Sequence, residues 1–243
     1  MCRDDNKVGT ARWAVRGRWR RTAQRAVPTL FSLTLLAQML QAEPLSAPAM
    51  KDLLERIRQK RAAAPHVQAD FQEQKIIRLM NQPISSSGKV WFQVPNKFRR
   101  EVKGNAPSLM ISDGQQLWIY YSNFKSAEHY SLGKHSPLDS AIAAINTALN
   151  LENVESTFHI TGAKTPNGYD LELMPRTPSM KRLFQKFNLR INNDLLAERT
   201  EMVQPNGDRI ITLYSNQTRA AIPASTFEFA PPEGTDVTNP LGR

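Results

Sequence analysis

Gly88-Lys89-Val90-Trp91-Phe92-Gln93-Val94-Pro95-Asn96-Lys97-Phe98-Arg99-Arg100-Glu101-Val102, with Ser112-Asp113-Gly114-Gln115-Gln116-Leu117-Trp118 shortly after it, is the stretch that decides the fold. Val90, Phe92 and Val94 alternate with Lys89, Trp91 and Gln93, the period of two expected of a strand with one buried face. Pro95-Asn96 breaks the run, because proline has no N–H to give a ladder. A second strand then begins at Phe98, in which Arg100 shares a face with Phe98 and Val102. Asp113-Gly114 accepts the positive φ of a tight hairpin turn, so the next strands fold back in sequence order.

The pattern extends both ways. Short strands are predicted from Val67, and at 87–94, 98–102, 109–112, 116–121, 125–132, 156–161, 169–174, 187–191, 195–203, 209–214 and 226–229, with Asn167-Gly168 and Asn206-Gly207 as further hairpin turns. About eleven strands in one domain must curl or be covered along an edge. Met50, Leu53, Leu54 and Ile57 form the apolar stripe of a helix between Pro48 and Pro65. A second helix is predicted over 136–150, opened by Ser136 and Pro137 with Asp139 in the capping-box position. Its stripe is Leu138, Ala141, Ile142, Ile145 and Leu149. A third, short helix starts at Thr177-Pro178. Apolar-faced helices among antiparallel strands fit helices lying in the concavity of one curled sheet.

The 243 residues, 40% apolar, suit a single domain once the N-terminus is set aside. Arg12, Arg16, Arg18, Arg20, Arg21 and Arg25 precede an uncharged run of 17 residues from Ala26 to Ala42, the layout of a signal peptide cleaved near Ala42. An uncleaved anchor is the alternative. The formal charge is +10, but residues 1–42 hold 8 basic and 2 acidic residues, leaving 24 basic against 20 acidic and a net +4 for residues 43–243. The basic balance thus argues no nucleic-acid partner. Cys2 is the only cysteine and lies before the apolar run, so the exported part has neither a disulfide nor a residue for lipid attachment.

Catalytic spacing is missing: there is no nucleophile elbow, zinc-protease motif, cysteine pair, dinucleotide fingerprint or phosphate loop. His66, His129, His135 and His159 are isolated from one another in sequence. No catalytic residue, metal or cofactor is expected; a hydrolase would need a triad assembled only in space. The positive signal is apolar. Phe71, Val90, Phe92, Phe98, Val102, Trp118, Tyr120, Leu171 and Leu173 lie on strands predicted to face the helices. Such stripes ordinarily pack as a filled core. Lys97, Arg99 and Lys103, and separately Lys181, Arg182 and Lys186, form two basic clusters, either solvated faces or docking points for an acidic surface or anionic headgroups.

The order of residues from Gly88 to Trp118, a strand ending at Pro-Asn, then Phe-Arg, then an Asp-Gly hairpin carrying Leu-Trp, resembles the LolA family of periplasmic outer-membrane lipoprotein carriers. Thr226-Phe227-Glu228-Phe229-Ala230-Pro231-Pro232-Glu233-Gly234-Thr235-Asp236-Val237 is similar to that family's closing strand and Pro-Pro-x-Gly exit, so the likeness runs from about Met50 to Val237. The resemblance implies a mainly β protein with α-helices, an incompletely closed antiparallel β-barrel of about eleven strands. Helices would be the lid over an apolar cavity, and 136–150 the lid helix.

It further implies a soluble monomeric carrier in the periplasm that takes lipoproteins by their acyl chains from an inner-membrane ABC transporter and passes them to an outer-membrane receptor or to the membrane itself. A carrier of another amphiphile, such as a glycolipid, is the alternative on the same fold. Proteobacterial members carry an arginine directly before Pro-Asn that latches the lid; here that position is Val94, and Arg100 is the candidate for the relocated latch.

Overall fold

The computed structural model of the chain describes residues 42–132, 151 and 154–240, which fall in one unit, Leu40–Arg243. After β1 (Glu43–Pro44) comes α1 (Ala47–Ala63), then β2 (His66–Ile76), β3 (Ile84–Gln93), β4 (Lys97–Lys103), β5 (Ser108–Ser112), β6 (Gln116–Tyr121) and β7 (Ser126–Ser131). The second run is β8 (Phe158–Thr165), β9 (Gly168–Pro175), β10 (Lys186–Asn192), β11 (Ala197–Val203), β12 (Arg209–Thr218) and β13 (Asp236–Thr238). Short helices at Val154–Thr157 and Pro178–Lys181 complete the described helices. The predicted lid helix, with Leu138, Ala141, Ile142, Ile145 and Leu149, lies outside the described residues, as does the N-terminal segment 1–41.

The strands form one 13-stranded sheet in the order β1-β8-β9-β10-β11-β12-β2-β3-β4-β5-β6-β7-β13. Its two ends, β1 and β13, do not pair with each other, so the sheet stays open. Neighbours run antiparallel except β13, which lies parallel to β7. Both edge strands escape a reading of the sequence because they are two and three residues long. One expected strand is corrected: 226–229 is not a strand, and Ala224–Phe227 is a 3-10 turn. Alternation in Thr226-Phe227-Glu228-Phe229 reads as a strand, but Pro223 and Pro231 flank it closely and leave little room for a ladder.

Helix α1 begins earlier than Pro48, with Ser46 as its cap: the Ser46 Oγ accepts from Ala49 N at 3.4 Å, and Pro48 sits in the first turn. Pro65 ends it by driving Ala64 out of the helical region, to φ −143° and ψ 85°. Met50, Leu53, Leu54 and Ile57 are all buried, packed with Phe158, Leu171, Leu173, Phe187, Leu189 and Ile191 of the β8–β10 region. At about 25 cal/mol per Å² of apolar surface, this seam is the main stabiliser of the half of the sheet it covers.

At the Asp113-Gly114 hairpin, Gly114 takes φ +95° and the Asp113 carboxylate accepts from Gln115 N and Gln116 N at 2.8 and 2.7 Å. That turn sets Ser112 opposite Leu117 and so fixes which side chains of β6 face inward.

Candidate functional site

Register defines two faces. One row across the sheet is Phe92, Phe98, Ser112, Leu117 and Tyr130; the next is Ala69, Val90, Arg100, Met110, Ile119 and Glu128; a third is Tyr214, Phe71, Gly88, Val102, Ser108 and Tyr121. These rows share the face that carries Leu171, Leu189, Thr200 and Thr212 farther along. On that shared face α1 covers the β8–β10 region, whereas Ala69, Phe71 and Val90 form a separate small cluster flanked by half-buried Phe92, Val102 and Tyr214.

The nine apolar residues picked from the sequence are therefore not one set. Phe71, Val90, Phe92, Phe98 and Val102 lie together beyond the reach of the α1 seam. Leu171 and Leu173 sit under α1 in the filled core, 2% and 0% exposed. Trp118 and Tyr120 belong to the opposite face, because Trp118 pairs with Ile111 and Ile111 with Arg99. There Trp118 stacks on His129 at 4.2 Å, and Trp118 and Tyr120 each pack on Phe229 with ring centroids 5.7 Å apart. The C-terminal segment is the cover: Arg99 Nη1 donates to Thr226 O at 3.1 Å and β13 pairs with β7. Sequence reading misses Met110 and Ile119, since β5 and β6 are apolar on both faces and carry no alternation. The signal that finds them is the hairpin count across Asp113-Gly114.

A pocket of about 70 Å³ opens on the first face where the C-terminal end of α1 meets β2, β3 and the β10–β11 turn. Val67, Ala69, Val90, Phe92 and Val94 line one side, Leu195, Ala197 and Tyr214 the other, with Arg61, Gln217 and Arg219 supplying polar groups. Val94, where carriers of the resembled family have their arginine, is thus a wall residue here.

Arg100 points across this face. Its Nη2 lies 2.9 Å from Glu73 Oε1, and its guanidinium carbon sits 4.3 Å from the centroid of the Phe71 ring. Nη2 is closed off from water yet has no aligned hydrogen-bond partner among the described residues. Glu73 Oε2 accepts from Thr212 Oγ1 at 3.2 Å. Burial pushes the Tyr214 phenol upward in pKa, opposed by its hydrogen bond with Thr200. Farther along, burial and the hydrogen bond to Glu128 push Tyr130 up to about 12, and Tyr130 donates to Glu128 Oε2 at 2.6 Å.

The basic clusters are partly neutralised: Arg99 pairs with Glu101 at 2.6 Å and Lys186 with Glu172 at 2.7 Å. Among the described residues no group of three or more His, Cys, Asp or Glu is placed to hold a metal, and no helix is long and apolar enough to cross a membrane.

A curled open sheet whose inner face is half filled by a helix and half lined by apolar side chains defines a binding scaffold. Residues 63–230 match the family described as outer membrane lipoprotein carrier protein LolA, and the chain belongs to that family. The outer-membrane lipoprotein carrier protein of Chromobacterium violaceum is 26% identical over 199 residues, covering 82% of this chain and 93% of its own. That of Dechloromonas aromatica is 29% identical over 174 residues, covering 70% and 80%. Among solved structures, an uncharacterised conserved protein from Thermus thermophilus aligns with a TM-score of 0.49 at 12% identity, covering 78% of this chain and 98% of that one. A LolA superfamily protein from Nitrosomonas europaea aligns at 0.41 and 14%, covering 74% and 97%.

Proposed function

We propose that this chain is a periplasmic carrier, exported by a signal peptide within residues 1–42, that binds the acyl chains of lipoproteins and delivers them from the inner to the outer membrane. The observation that carries the reading is the apolar cluster of buried Phe71 and Val90 with half-buried Phe92 and Val102, separate from the α1 core and opening on a pocket of about 70 Å³ lined by Val90 and Phe92, with Phe98 paired to Phe92 on the next strand. Each methylene hidden from water is worth about 0.8 kcal/mol, so acyl chains need such a surface to cross an aqueous space. The relatives named as lipoprotein carriers support the cargo.

In this reading the segment 136–150 is the lid, Arg100 its polar hold, and binding and release follow a shift between closed and open states, with no bond made or broken. The donor is an inner-membrane ABC transporter and the acceptor an outer-membrane receptor or the membrane. Native mass spectrometry with lipid analysis, on protein purified from its own periplasm without detergent, tests it. One triacylated polypeptide bound per chain is the expected result; free lipid alone would move the cargo to another amphiphile, and an empty protein that also refuses added lipoprotein would overturn the carrier reading.

A further inference from the structure

We propose that the end of the sheet formed by the β2–β3, β6–β7 and β9–β10 connections docks on an anionic lipid bilayer, with Leu79, Phe124 and Leu183 entering the interface and the cations beside them meeting lipid phosphates. This rests on the carrier reading for its role, and it narrows the acceptor to the lipid surface itself.

Antiparallel pairing brings every second connection to the same end of a sheet. Residues 77–83, 104–107, 122–125, 176–185 and 204–208 therefore stand at one end, and the Asp113-Gly114 turn at the other. Five of the eight large apolar side chains left exposed among the described residues, Leu79, Met80, Ile84, Phe124 and Leu183, stand on these connections or on the first residue of the strand leaving one. Single exposed leucines are ordinary, but this exposure is gathered at one end, and gathered apolar surface marks an interaction site. Leu79 is 97% exposed and Phe124 79%. Both are presented by backbone tied to its neighbours. Arg78 N donates to Asp208 Oδ1 at 3.0 Å and Arg78 Nη1 to Asn206 O at 3.2 Å, while Asn123 Nδ2 donates to Asn105 O at 2.9 Å.

Charge identifies the partner. Three of the connections set a cation next to an exposed apolar residue in sequence: Arg78-Leu79, Phe124-Lys125 and Arg182-Leu183. Lys75, Lys103 and Lys181, all exposed, add to them. Among the described residues the exposed carboxylates at this end are Glu155, Glu233 and Asp236, and Asp208 is buried beneath the bonds from Arg78 N and Asn206 Nδ2. The balance is positive. The three apolar and cationic connections follow one another at intervals of four strands in the sheet order, about 19 Å along the sheet at about 4.8 Å per strand. A protein partner would need matched hollows at that spacing. A fluid acidic bilayer takes separate tips at any spacing, with apolar side chains among the acyl carbons and Lys and Arg at the phosphates.

The test is sedimentation of protein purified from its own periplasm with vesicles of phosphatidylglycerol mixed into phosphatidylcholine, and with vesicles of phosphatidylcholine alone. The mixed vesicles should bind it about tenfold more tightly at low salt, and added salt should narrow the gap. Leu79→Ser and Phe124→Ser, both at exposed positions, should each weaken binding about tenfold, and Arg182→Gln about fivefold. Leu213→Ser, at an exposed position of β12 away from these connections, should leave it unchanged. A polarity-sensitive dye on Leu79→Cys should shift to the blue on mixed vesicles, and the same dye on Leu213→Cys should not. Binding to neither vesicle, binding indifferent to phosphatidylglycerol, or binding unchanged in Leu79→Ser, Phe124→Ser and Arg182→Gln alike overturns the inference. A protein that takes up triacylated lipoprotein but ignores vesicles loses this inference alone. One that binds vesicles through these tips yet never takes lipoprotein keeps the docking surface and loses the carrier reading.

Discussion

Arg100 on β4 reaches over β3 to Glu73 on β2, placing Nη2 2.9 Å from Oε1 with both side chains about a quarter exposed. It crosses beside Gly88, which stands between Phe71 and Val102 and contributes no side chain to the row. A cation is thus held on an apolar face beside one carboxylate and one ring. Arg100→Leu should lower thermal stability only modestly, by about 1–2 kcal/mol, because the pair is partly solvated and its loss leaves Glu73 supported by Thr212. If Arg100 holds the lid, the same substitution should release a bound fluorescent acyl probe several times faster. Unchanged uptake and release would remove Arg100 from the mechanism.

Leu54 tests the filled half of the face. It is 1% exposed within the α1 seam, so Leu54→Ala should cost about 2–5 kcal/mol, read as a lower urea midpoint with the slope retained. Phe92→Ala lies beyond that seam and is half-buried, so it should cost less stability than its larger volume suggests while weakening acyl-probe binding. The reverse ranking would mean that the apolar half-face is ordinary core.

Much of this is legible in the chain. The stripe Met50, Leu53, Leu54 and Ile57 announces α1, and alternation from Val67 and at Val90-Phe92 gives β2 and β3 their buried sides. Arg100 can be placed inward because strand parity from Phe98 is unambiguous. Trp118 and Tyr120 read onto the wrong face because Leu117-Trp118-Ile119-Tyr120 is apolar at every position, and only pairing across the Asp113-Gly114 turn decides between the two parities. Thr226–Phe229 alternates like a strand yet serves as a cover, since Phe229, the second of its two aromatic residues, packs on Trp118 and Tyr120 and joins no ladder. The pocket arises from α1, β2, β3 and the β10–β11 turn, elements far apart in sequence, and no local pattern encodes it.

Gly88 offers a test of the register itself. A Cβ there would lie 1.7 Å from Glu101 O and 2.9 Å from Phe71 Cε1, and the first of these is backbone that cannot turn aside. Gly88→Ala should therefore separate β3 from β4 and cost at least the 1–3 kcal/mol typical of overpacking. Amide exchange should accelerate first along the β3–β4 ladder. Uniform exchange with unchanged stability would show that the two strands are not paired as described.

Tyr130 gives an alkaline signature. Burial and its bond to Glu128 raise it to about 12, above the usual value near 10. The folded state favours the neutral phenol, so this contribution is complete below the unfolded value and is lost as pH rises through about 12. Spectrophotometric titration of the folded protein should show a tyrosine ionising near 12 that Tyr130→Phe removes, and Glu128→Gln should bring it down.

Glu201 gives the acid counterpart. It is buried, and although desolvation alone would raise its pKa, hydrogen bonds from Arg209 at 2.5 Å and Arg199 at 2.6 Å outweigh that and hold it below the usual carboxylate value. A carboxylate lowered in the folded state binds its proton more weakly there than in the unfolded chain, so unfolding takes up a proton in the window between the two values. Its stabilisation is present above the unfolded value of about 4.3 and is lost as pH falls toward the lowered folded one. Urea midpoints measured stepwise from neutral pH into that acid window should fall for the native protein. Glu201→Gln should start lower, because Arg199 and Arg209 lose their anion, and should fall less steeply across the same window. Parallel curves for the two proteins would show that the Arg199–Glu201–Arg209 cluster does not carry the acid sensitivity of the β11–β12 pair.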